Sequence, residues 1–476
     1  MNPLWTRHEI AQATNGRFIG DVPGVMGVSI DTRTLEPGDL FFAIRGDVHD
    51  GHDFVAAALS RGGAAAGVSE ERAPEFAEAG PLLVVSDVLR AMEQLGVASR
   101  ARSSARIVAV TGSVGKTSTK EALRLALKPQ GVTHASVASY NNHWGVPLTL
   151  SRMPRETGYG IFEIGMNHPG EILPLTEMVR PHVALVTNVE PVHIQYFRSV
   201  SAIADAKGEI VAGLEPGGTA VVNRDNPHWE RLRAHAFASS AGRVVTFGEH
   251  EAADVRAERI IVKSDTSIVD ALVFGQRVTY RLGTPGRHIA INSLGVLGAV
   301  HALGADLAIA TLALAEASAP AGRGERTRLS LGTGNALLID ESYNANPASV
   351  RAALAALGSA ETGRRGRRIA VLGDMLELGP EGAALHRALV EPIEAHGIDL
   401  VFTAGPLMQE LFTALPGSRR GEHASTAADL AKTIVQAIRP GDVVMVKGSN
   451  STRMATIVKA LKEASSTDHA VVAAEG

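Results

Sequence analysis

The chain has 476 residues, of which 46 are basic and 50 acidic, and it contains no cysteine. A chain this long exceeds a single hydrophobic core, so about three domains are expected. The near balance of charge gives no strong field of one sign for a nucleic-acid backbone or an anionic membrane, and the absence of cysteine excludes disulfides and thiolate metal sites. No run approaches the roughly 20 apolar residues of a membrane span, and the N-terminal segment lacks the apolar core of a signal peptide. We therefore expect a cytoplasmic protein.

The chain reads as three α/β segments in order. Residues 1–86 hold short apolar runs separated by Gly, Pro and Asp, which predicts a small α/β domain. Residues 87–318 alternate strand candidates with helical stretches, which predicts a parallel sheet covered by helices. The strand candidates are residues 107–110, 161–164, 184–189, 219–223 and 244–247.

A hinge and a second sheet are predicted beyond this segment. Residues 319–326 are rich in Pro, Gly and Arg, which is typical of a hinge. Residues 369–373, 400–405 and 443–448 each run from apolar residues into a glycine. These runs predict a second, doubly wound sheet in residues 319–476, with ligands beyond the carboxyl ends of its strands.

A phosphate-binding loop is predicted directly after the strand candidate at residues 107–110. It consists of Gly112, Ser113, Val114, Gly115, Lys116, Thr117 and Ser118. Small residues let backbone N–H groups face phosphate, the start of the following helix adds positive potential, and lysine supplies a charge. Thr117 is placed to reach a magnesium ion. The loop predicts ATP or GTP binding, but motors, switches, kinases and ligases all share such a loop.

Three further residues are candidates for metal chemistry. Glu163 ends an apolar strand candidate, where a carboxylate is costly unless it is paired or bound to a metal such as Mg²⁺. His193 follows another strand candidate, and Lys207 lies in a stretch of helical spacing. By residue type alone, His193 is more often a packed or solvated histidine, and Lys207 is an ordinary surface lysine.

The ordered motifs of the chain resemble the Mur ligase family. They run from Asp31-Thr32-Arg33, Gly38-Asp39-Leu40-Phe41 and Asp50-Gly51-His52 to Lys447-Gly448-Ser449. Residues 111–113, 342–347 and 373–379 are most similar to the members that add D-alanyl-D-alanine to UDP-N-acetylmuramoyl-tripeptide in peptidoglycan synthesis. The resemblance implies a UDP-sugar domain, a central ATPase domain with a P-loop-type sheet, and a Rossmann-like C-terminal domain that closes over ATP. It also implies an amide ligase that acts through an acyl phosphate, and we expect a monomer.

The resemblance further implies roles for individual residues. Thr117, Glu163 and His193 match metal positions, and Lys207 matches a lysine that reacts with CO₂ to give a carbamate, a ligand for the second of two Mg²⁺ ions. Asn292 and Asp340 match adenine and ribose contacts, and Arg323 matches an arginine that reaches the ATP phosphates on closure. The matches to substrate-facing motifs are Thr32, Arg33, Arg45, Gly46, Asp50, His52, Asn141, Asn142, Asn188, Tyr343, Asn344, Asn346, Asp374 and Lys447. Ile289 and Glu341 depart from the family pattern, which has asparagine and aspartate at these positions.

Four alternatives remain open at this point, and the first is another Mur-type ligase. A folate-extending ligase shares the phosphate loop and the lysine helix, but such enzymes generally have two domains, so the N-terminal motifs count against it. A nucleotide-driven switch or motor would need a partner surface and an acidic magnesium motif at the usual place. An inactive UDP-sugar-binding module is disfavoured by the intact Lys116, Glu163, His193 and Lys207. The sequence leaves open whether the third residue of the tripeptide is lysine or diaminopimelate.

Overall fold

The N-terminal part of the protein is a small mixed sheet with helices packed on it. The structure is a computed structural model that describes residues 2–46, 48–137, 139–332 and 334–474, the last nine of these by their backbone alone. The five strands of the sheet are, in spatial order, Arg17–Ile19, Leu82–Val85, Ala65–Ser69, Asp39–Phe42 and Gly27–Ser29. The first pair is antiparallel and the others are parallel. A separate antiparallel pair joins Trp5–Thr6 to Gly24–Val25.

Three α-helices and two 3₁₀ helices accompany these strands. The α-helices are Arg7–Thr14, Val55–Ser60 and Val88–Arg102, and the 3₁₀ helices are Gly51–Phe54 and Ala73–Phe76. Helix Val88–Arg102, which the sequence assigns to the central segment, packs Met92 and Leu95 into the same core as Leu40 and Phe42 of the N-terminal sheet. The domain boundaries at residues 86 and 318 stay predictions.

The central part is a nine-stranded sheet with both faces covered. In spatial order its strands are Gln276–Leu282, Ser267–Val273, Val255–Val262, Arg243–Gly248, Thr219–Asn223, Val183–Val186, Arg106–Thr111, Tyr159–Glu163 and Thr133–Ala135. In strand Arg106–Thr111, Val108 and Val110 face one core while Ile107 and Ala109 face the other. Burial on both faces explains why this strand reads as a continuous apolar run.

Helices on the two faces complete the central part. The α-helices are Lys116–Leu127, Gly145–Ser151, Ile172–Val179, Val200–Gly208, Trp229–Phe237, Arg287–Ala302 and Leu307–Leu314. The 3₁₀ helices are Lys128–Gln130, Ile194–Tyr196 and Glu209–Gly213.

The central sheet is parallel, as predicted, except at one edge. Strands Val255–Val262, Ser267–Val273 and Gln276–Leu282 form an antiparallel meander. Residues of Ser267–Val273 alternate between buried and half-buried, as expected for a strand with one covered face. That period-two pattern differs from the continuous apolar runs by which the other strands were recognised.

The C-terminal part is a six-stranded sheet, again with a core on each face. Its spatial order is Glu325–Leu331, Gly334–Glu341, Val443–Lys447, Arg368–Gly373, Leu400–Ala404 and Arg420–Ala424, with only the first pair antiparallel. The α-helices are Pro347–Gly358, Gly382–Arg387, Val390–Ala395, Met408–Ala414, Ala427–Ala437 and Ala455–Ala474. The 3₁₀ helices are Gly379–Glu381, Gly417–Arg419 and Asn450–Thr452.

The predicted hinge at residues 319–326 is partly a strand. Glu325 and Arg326 already pair with Asp340 and Ile339, so the irregular connection ends at Gly324. Among the residues described, none of the helices combines the length and the apolar character that a transmembrane segment needs.

Candidate active site

The phosphate loop lies at the carboxyl end of strand Arg106–Thr111, between two parallel neighbours. Two of its glycines adopt left-handed backbone conformations, Gly112 with φ of +151° and Gly115 with φ of +84°. A Cβ atom would lie 1.9 Å from the Thr187 hydroxyl oxygen at Gly112, and 2.4 Å from the Asn292 side-chain nitrogen at Gly115. Glycine is therefore required at both positions. The missing side chain at Gly115 lets Asn292 pack against the loop.

The segment after strand Val183–Val186 holds the loop in place. The Ser113 N–H donates to the Asn188 carbonyl oxygen, and the Val114 N–H donates to the Asn188 side-chain oxygen, both at 3.0 Å. The Thr187 hydroxyl donates to the Val114 carbonyl oxygen at 2.6 Å. The side-chain oxygen of Asn188 thus holds the loop, and its predicted role in substrate binding stays a prediction.

The start of helix Lys116–Leu127 completes an anion site. The first N–H groups of a helix have no intrahelical acceptor, and they create positive potential there. The Lys116 ammonium donates to the Gly112 carbonyl oxygen at 2.7 Å, across the loop. Burial lowers the pKa of Lys116, the Glu163 carboxylate opposes this, and the charge of Arg323 adds to it.

Glu163 and Thr117 form a buried oxygen pair beside the lysine. The Thr117 hydroxyl donates to Glu163 Oε2 at 2.8 Å, and the Asn141 side-chain nitrogen donates to Glu163 Oε1 at 2.7 Å. Glu163 is only 1% exposed. A buried carboxylate and a hydroxyl are the hard oxygen donors that Mg²⁺ prefers, so these two residues fit that ion. Asn141 contacts this pair and is better described as positioning Glu163.

The charge of Lys116 lowers the pKa of both His193 and Lys207. Burial lowers the pKa of His193, Glu377 opposes this, and the charges of Lys116 and Lys207 lower it further. Lys207 is 3% exposed, and burial together with the charge of Lys116 holds its pKa well below the ordinary value. The interpretation of Lys207 as a surface lysine is therefore wrong.

Of the four predicted metal ligands, Thr117 and Glu163 are in direct contact. Thr117 contacts Glu163, whereas the imidazole of His193 contacts Glu377, which the sequence did not predict. Among the described residues, no group of three or more histidine and acidic side chains is arranged to hold a metal ion.

A cavity of about 250 Å³ opens beside helix Lys116–Leu127. Apolar side chains such as Val296 and Leu314 line it, together with Ser118, Asn292 and Arg323. The Arg323 guanidinium stacks on the Tyr343 ring at 4.0 Å and donates to the Ser139 hydroxyl at 3.2 Å. Arg323 therefore joins the central and C-terminal parts at the mouth of the phosphate loop.

The C-terminal candidates mostly have internal partners. Asp340 accepts from the backbone N–H and the hydroxyl of Ser342, at 3.0 and 2.6 Å, so its predicted ribose contact would compete with that turn. Lys447 donates to Glu341 at 3.2 Å and to the Asn344 carbonyl oxygen at 3.0 Å. Glu341, the departure from the family pattern, therefore neutralises a buried lysine.

Two other predicted C-terminal contacts have structural roles. Asn346 caps helix Pro347–Gly358 by accepting from the Ser349 N–H at 2.9 Å. Asp374 is 3% exposed and accepts from the Met408 N–H at 2.8 Å. Each side chain thus has one oxygen engaged in holding the fold, and the predicted substrate contacts at Asn346 and Asp374 stay predictions.

The N-terminal candidates cluster around one loop. The Ser69 N–H donates to His52 Nε2 at 3.1 Å, so Nδ1 carries the proton and donates to Asp50 at 2.7 Å. With both ring nitrogens hydrogen-bonded, His52 holds the loop, and its predicted substrate contact stays a prediction. Arg45 pairs with Asp50 through an isolated β-bridge.

The other N-terminal candidates lie nearer to solvent or to the central part. Arg33 is exposed and pairs with Asp31 at 2.7 Å, next to the half-buried Thr32. A Cβ atom at Gly46 would lie 3.2 Å from the Trp144 ring. Asn142 accepts from the Gly145 N–H at 3.0 Å at the start of a helix, so its side-chain oxygen is used locally.

Comparison with known proteins agrees with this architecture. Family models match residues 24–102 (Mur ligase family, catalytic domain), 110–300 (Mur ligase middle domain) and 322–450 (Mur ligase, glutamate ligase domain). The UDP-N-acetylmuramoyl-tripeptide--D-alanyl-D-alanine ligase of Escherichia coli K12 is 35% identical over 461 residues, covering 96% of this chain and 98% of that protein. The chain belongs to the Mur ligase family.

Solved structures of other Mur ligases share this fold. The crystal structure of MurF from Acinetobacter baumannii aligns with a TM-score of 0.83 and 29% identity, covering 97% of this chain and 100% of that one. The MurF ligase of Thermotoga maritima in complex with ADP aligns with a TM-score of 0.76 and 24% identity, covering 93% and 98%. The predicted family and the three-domain α/β class of this Mur ligase are confirmed.

Proposed function

We propose that this Mur ligase uses ATP to join D-alanyl-D-alanine to the terminal carboxylate of UDP-N-acetylmuramoyl-tripeptide. The observation that carries the proposal is the phosphate loop, with the Lys116 ammonium across it and the buried Thr117–Glu163 pair beside it. The E. coli relative, whose name states this reaction, aligns over 98% of its length, including the N-terminal segment that a folate-extending ligase would lack. We propose residues 1–86, 87–318 and 319–476 as the domains, and a cytoplasmic monomer as the working form.

The reaction proceeds in two steps. A carboxylate oxygen of the tripeptide attacks the γ-phosphorus of ATP, the bond to the β-phosphate oxygen breaks, and an acyl phosphate and ADP form. The amine of the dipeptide then attacks the acyl carbon and loses a proton, and phosphate leaves as the amide forms. Phosphoryl transfer needs positioning and neutralisation of charge more than covalent help. Lys116 supplies this at the loop, and Arg323 supplies it from the C-terminal side.

The cavity beside the loop suits the nucleoside of ATP. Its apolar lining takes the faces of a base, and Asn292 offers hydrogen bonds at its edge. The same cavity is bounded by Arg323, so a bound nucleotide would contact both the central and the C-terminal part. Contact with both parts favours a closed enzyme, which excludes water that would hydrolyse the acyl phosphate.

We further propose that Thr117 and Glu163 hold one Mg²⁺ and that His193 and a carbamate on Lys207 hold a second. When bound, the ions neutralise charge on the transferring phosphoryl group. The lowered pKa of Lys207 favours its neutral amine, the form that attacks CO₂ with formation of a C–N bond and release of a proton. The resulting anion would attract the Lys116 ammonium, whose charge disfavours protonated Lys207. NMR with ¹³C-labelled CO₂ tests this step, because a carbamate carbon signal is expected in the parent protein and not in Lys207→Met.

Phosphate release measured with UDP-N-acetylmuramoyl-tripeptide and ATP, with and without D-alanyl-D-alanine, tests the proposed function. Sustained release together with a ligated product is expected only with all three substrates. Lys116→Ala should nearly abolish both signals, since it removes the charge at the loop. Phosphate release that ignores the dipeptide, or ligation that leaves ATP unspent, contradicts the proposal.

A further inference from the structure

A side-chain contact between His193 and Glu377 joins the proposed metal region to the C-terminal part. His193 stands at the start of the 3₁₀ helix Ile194–Tyr196, and its Nδ1 is hydrogen-bonded to the Glu377 carboxylate. Glu377 lies in the connection that follows strand Arg368–Gly373. Gly379 lies against Gln195 in the same seam, with 3.6 Å between an added Cβ and the Gln195 Cβ. The contact is therefore part of a packed interface between the two parts.

Both partners adopt an uncommon backbone conformation. His193 has a φ of +58° and Glu377 has a φ of +61°, and neither is glycine. A left-handed conformation is strained for an L-residue, and it persists only when the surrounding structure imposes it. Such residues concentrate at functional sites. Two of them facing each other across an interface indicate that the contact is specifically arranged.

The hydrogen bond determines which ring nitrogen of His193 is available. A carboxylate only accepts, so Nδ1 must carry the hydrogen and donate it to Glu377. The remaining nitrogen of the neutral ring, Nε2, then has the free lone pair. Histidines that bind metals are commonly held in this way, with one nitrogen on the metal and the other donating to a carboxylate. A solvated histidine would need no such partner.

We propose that Glu377 is the positioning residue that orients His193 for the metal, and that it reaches His193 only when the C-terminal domain lies against the central domain. Metal binding and domain closure are then coupled, each favouring the other. This inference rests on the proposed metal role of His193.

Binding of Mn²⁺ in the presence of ADP, measured by electron paramagnetic resonance, tests the orientation without any turnover. Loss of such a carboxylate partner typically weakens metal affinity about 10- to 100-fold, and this is the expected increase in Kd for Glu377→Gln. Glu381→Gln is the matched control, because Glu381 is an exposed glutamate of the same segment, and its Kd should stay within about twofold of the parent. His193→Ala calibrates the full loss of the ligand.

Fluorescence energy transfer tests the coupling to closure. The chain has no cysteine, so Glu230→Cys and Glu394→Cys place two dyes on exposed sites of the two parts without background labelling. Mg²⁺ with ADP should shift the parent toward the shorter distance, and by reciprocity the shift should be smaller in Glu377→Gln. A parent-like Mn²⁺ affinity in Glu377→Gln, with weakened binding in His193→Ala, overturns this inference alone. Unchanged binding in His193→Ala overturns the proposed metal role of His193, and this inference with it.

Discussion

Replacing Glu163 with glutamine separates the charge of the proposed metal site from its shape. Glutamine keeps the side-chain length, and it can still accept from Asn141 and donate to the Thr117 hydroxyl, which rotates. The two present bonds are charge-assisted, at about 1.5–3 kcal/mol each against 0.5–1.5 for neutral ones, so the change costs about 2–3 kcal/mol. Removing a buried carboxylate returns part of this. We therefore expect Tm to fall by less than about 10 °C.

The effect on ligation should be far larger than the effect on stability. Without the carboxylate, the Thr117–Glu163 pair loses its anionic donor, and Lys116 loses the charge that favours its protonated form. We expect phosphate release at saturating ATP and Mg²⁺ to fall at least about 100-fold, equivalent to about 2.7 kcal/mol in the barrier. A folded Glu163→Gln protein that turns over within about threefold of the parent would refute the role of Glu163 in this site.

Three further changes have expected outcomes. Gly115→Ala should raise the KM for ATP about tenfold or more, because the added Cβ would lie 2.4 Å from the Asn292 side-chain nitrogen in the cavity wall. Gly217→Ala is the control, because Gly217 also has a positive φ but faces open space. It should lose only stability, about 1–2 kcal/mol. Lys207→Ala should be inactive and regain some ligation with a short carboxylic acid, and an active variant that such acids do not affect would contradict the carbamate. Burial raises the pKa of Glu9, but hydrogen bonding to Arg155 helps to lower it to about 2. The ionised Glu9 therefore stabilises the fold fully above pH 4.5, and this contribution is lost as the pH falls toward 2. Thermal melts of Glu9→Gln should lose this pH dependence.

Much of the fold follows from patterns that a single strand carries. Residues 107–110 and 219–223 are predicted correctly, because strands buried on both faces read as continuous apolar runs. Strand Val255–Val262 was missed because Arg256, Glu258 and Arg259 interrupt its apolar residues, as a strand with one open face permits.

The sequence predicts those parts of the site that are contiguous in the chain, and not the contacts between distant residues. The phosphate loop is contiguous, so its residues alone indicate a strand, a turn and a helix start in the right order. The burial of Lys207 comes from neighbouring elements and not from its own helix, whose residues are compatible with an exposed lysine. Glu377 is 184 residues away from His193, and no local pattern pairs them. The available signal in the sequence is the position of Glu377 between Gly373 and Gly379, directly beyond the buried strand Arg368–Gly373.

Following oxygen from the tripeptide carboxylate into the released phosphate tests the acyl-phosphate route most directly. With the terminal carboxylate of UDP-N-acetylmuramoyl-tripeptide labelled by ¹⁸O, ligation in the presence of ATP and D-alanyl-D-alanine should transfer one labelled oxygen to each phosphate formed. Mass spectrometry of the phosphate measures this transfer. Ligated product accompanied by unlabelled phosphate would contradict phosphorylation of the carboxylate.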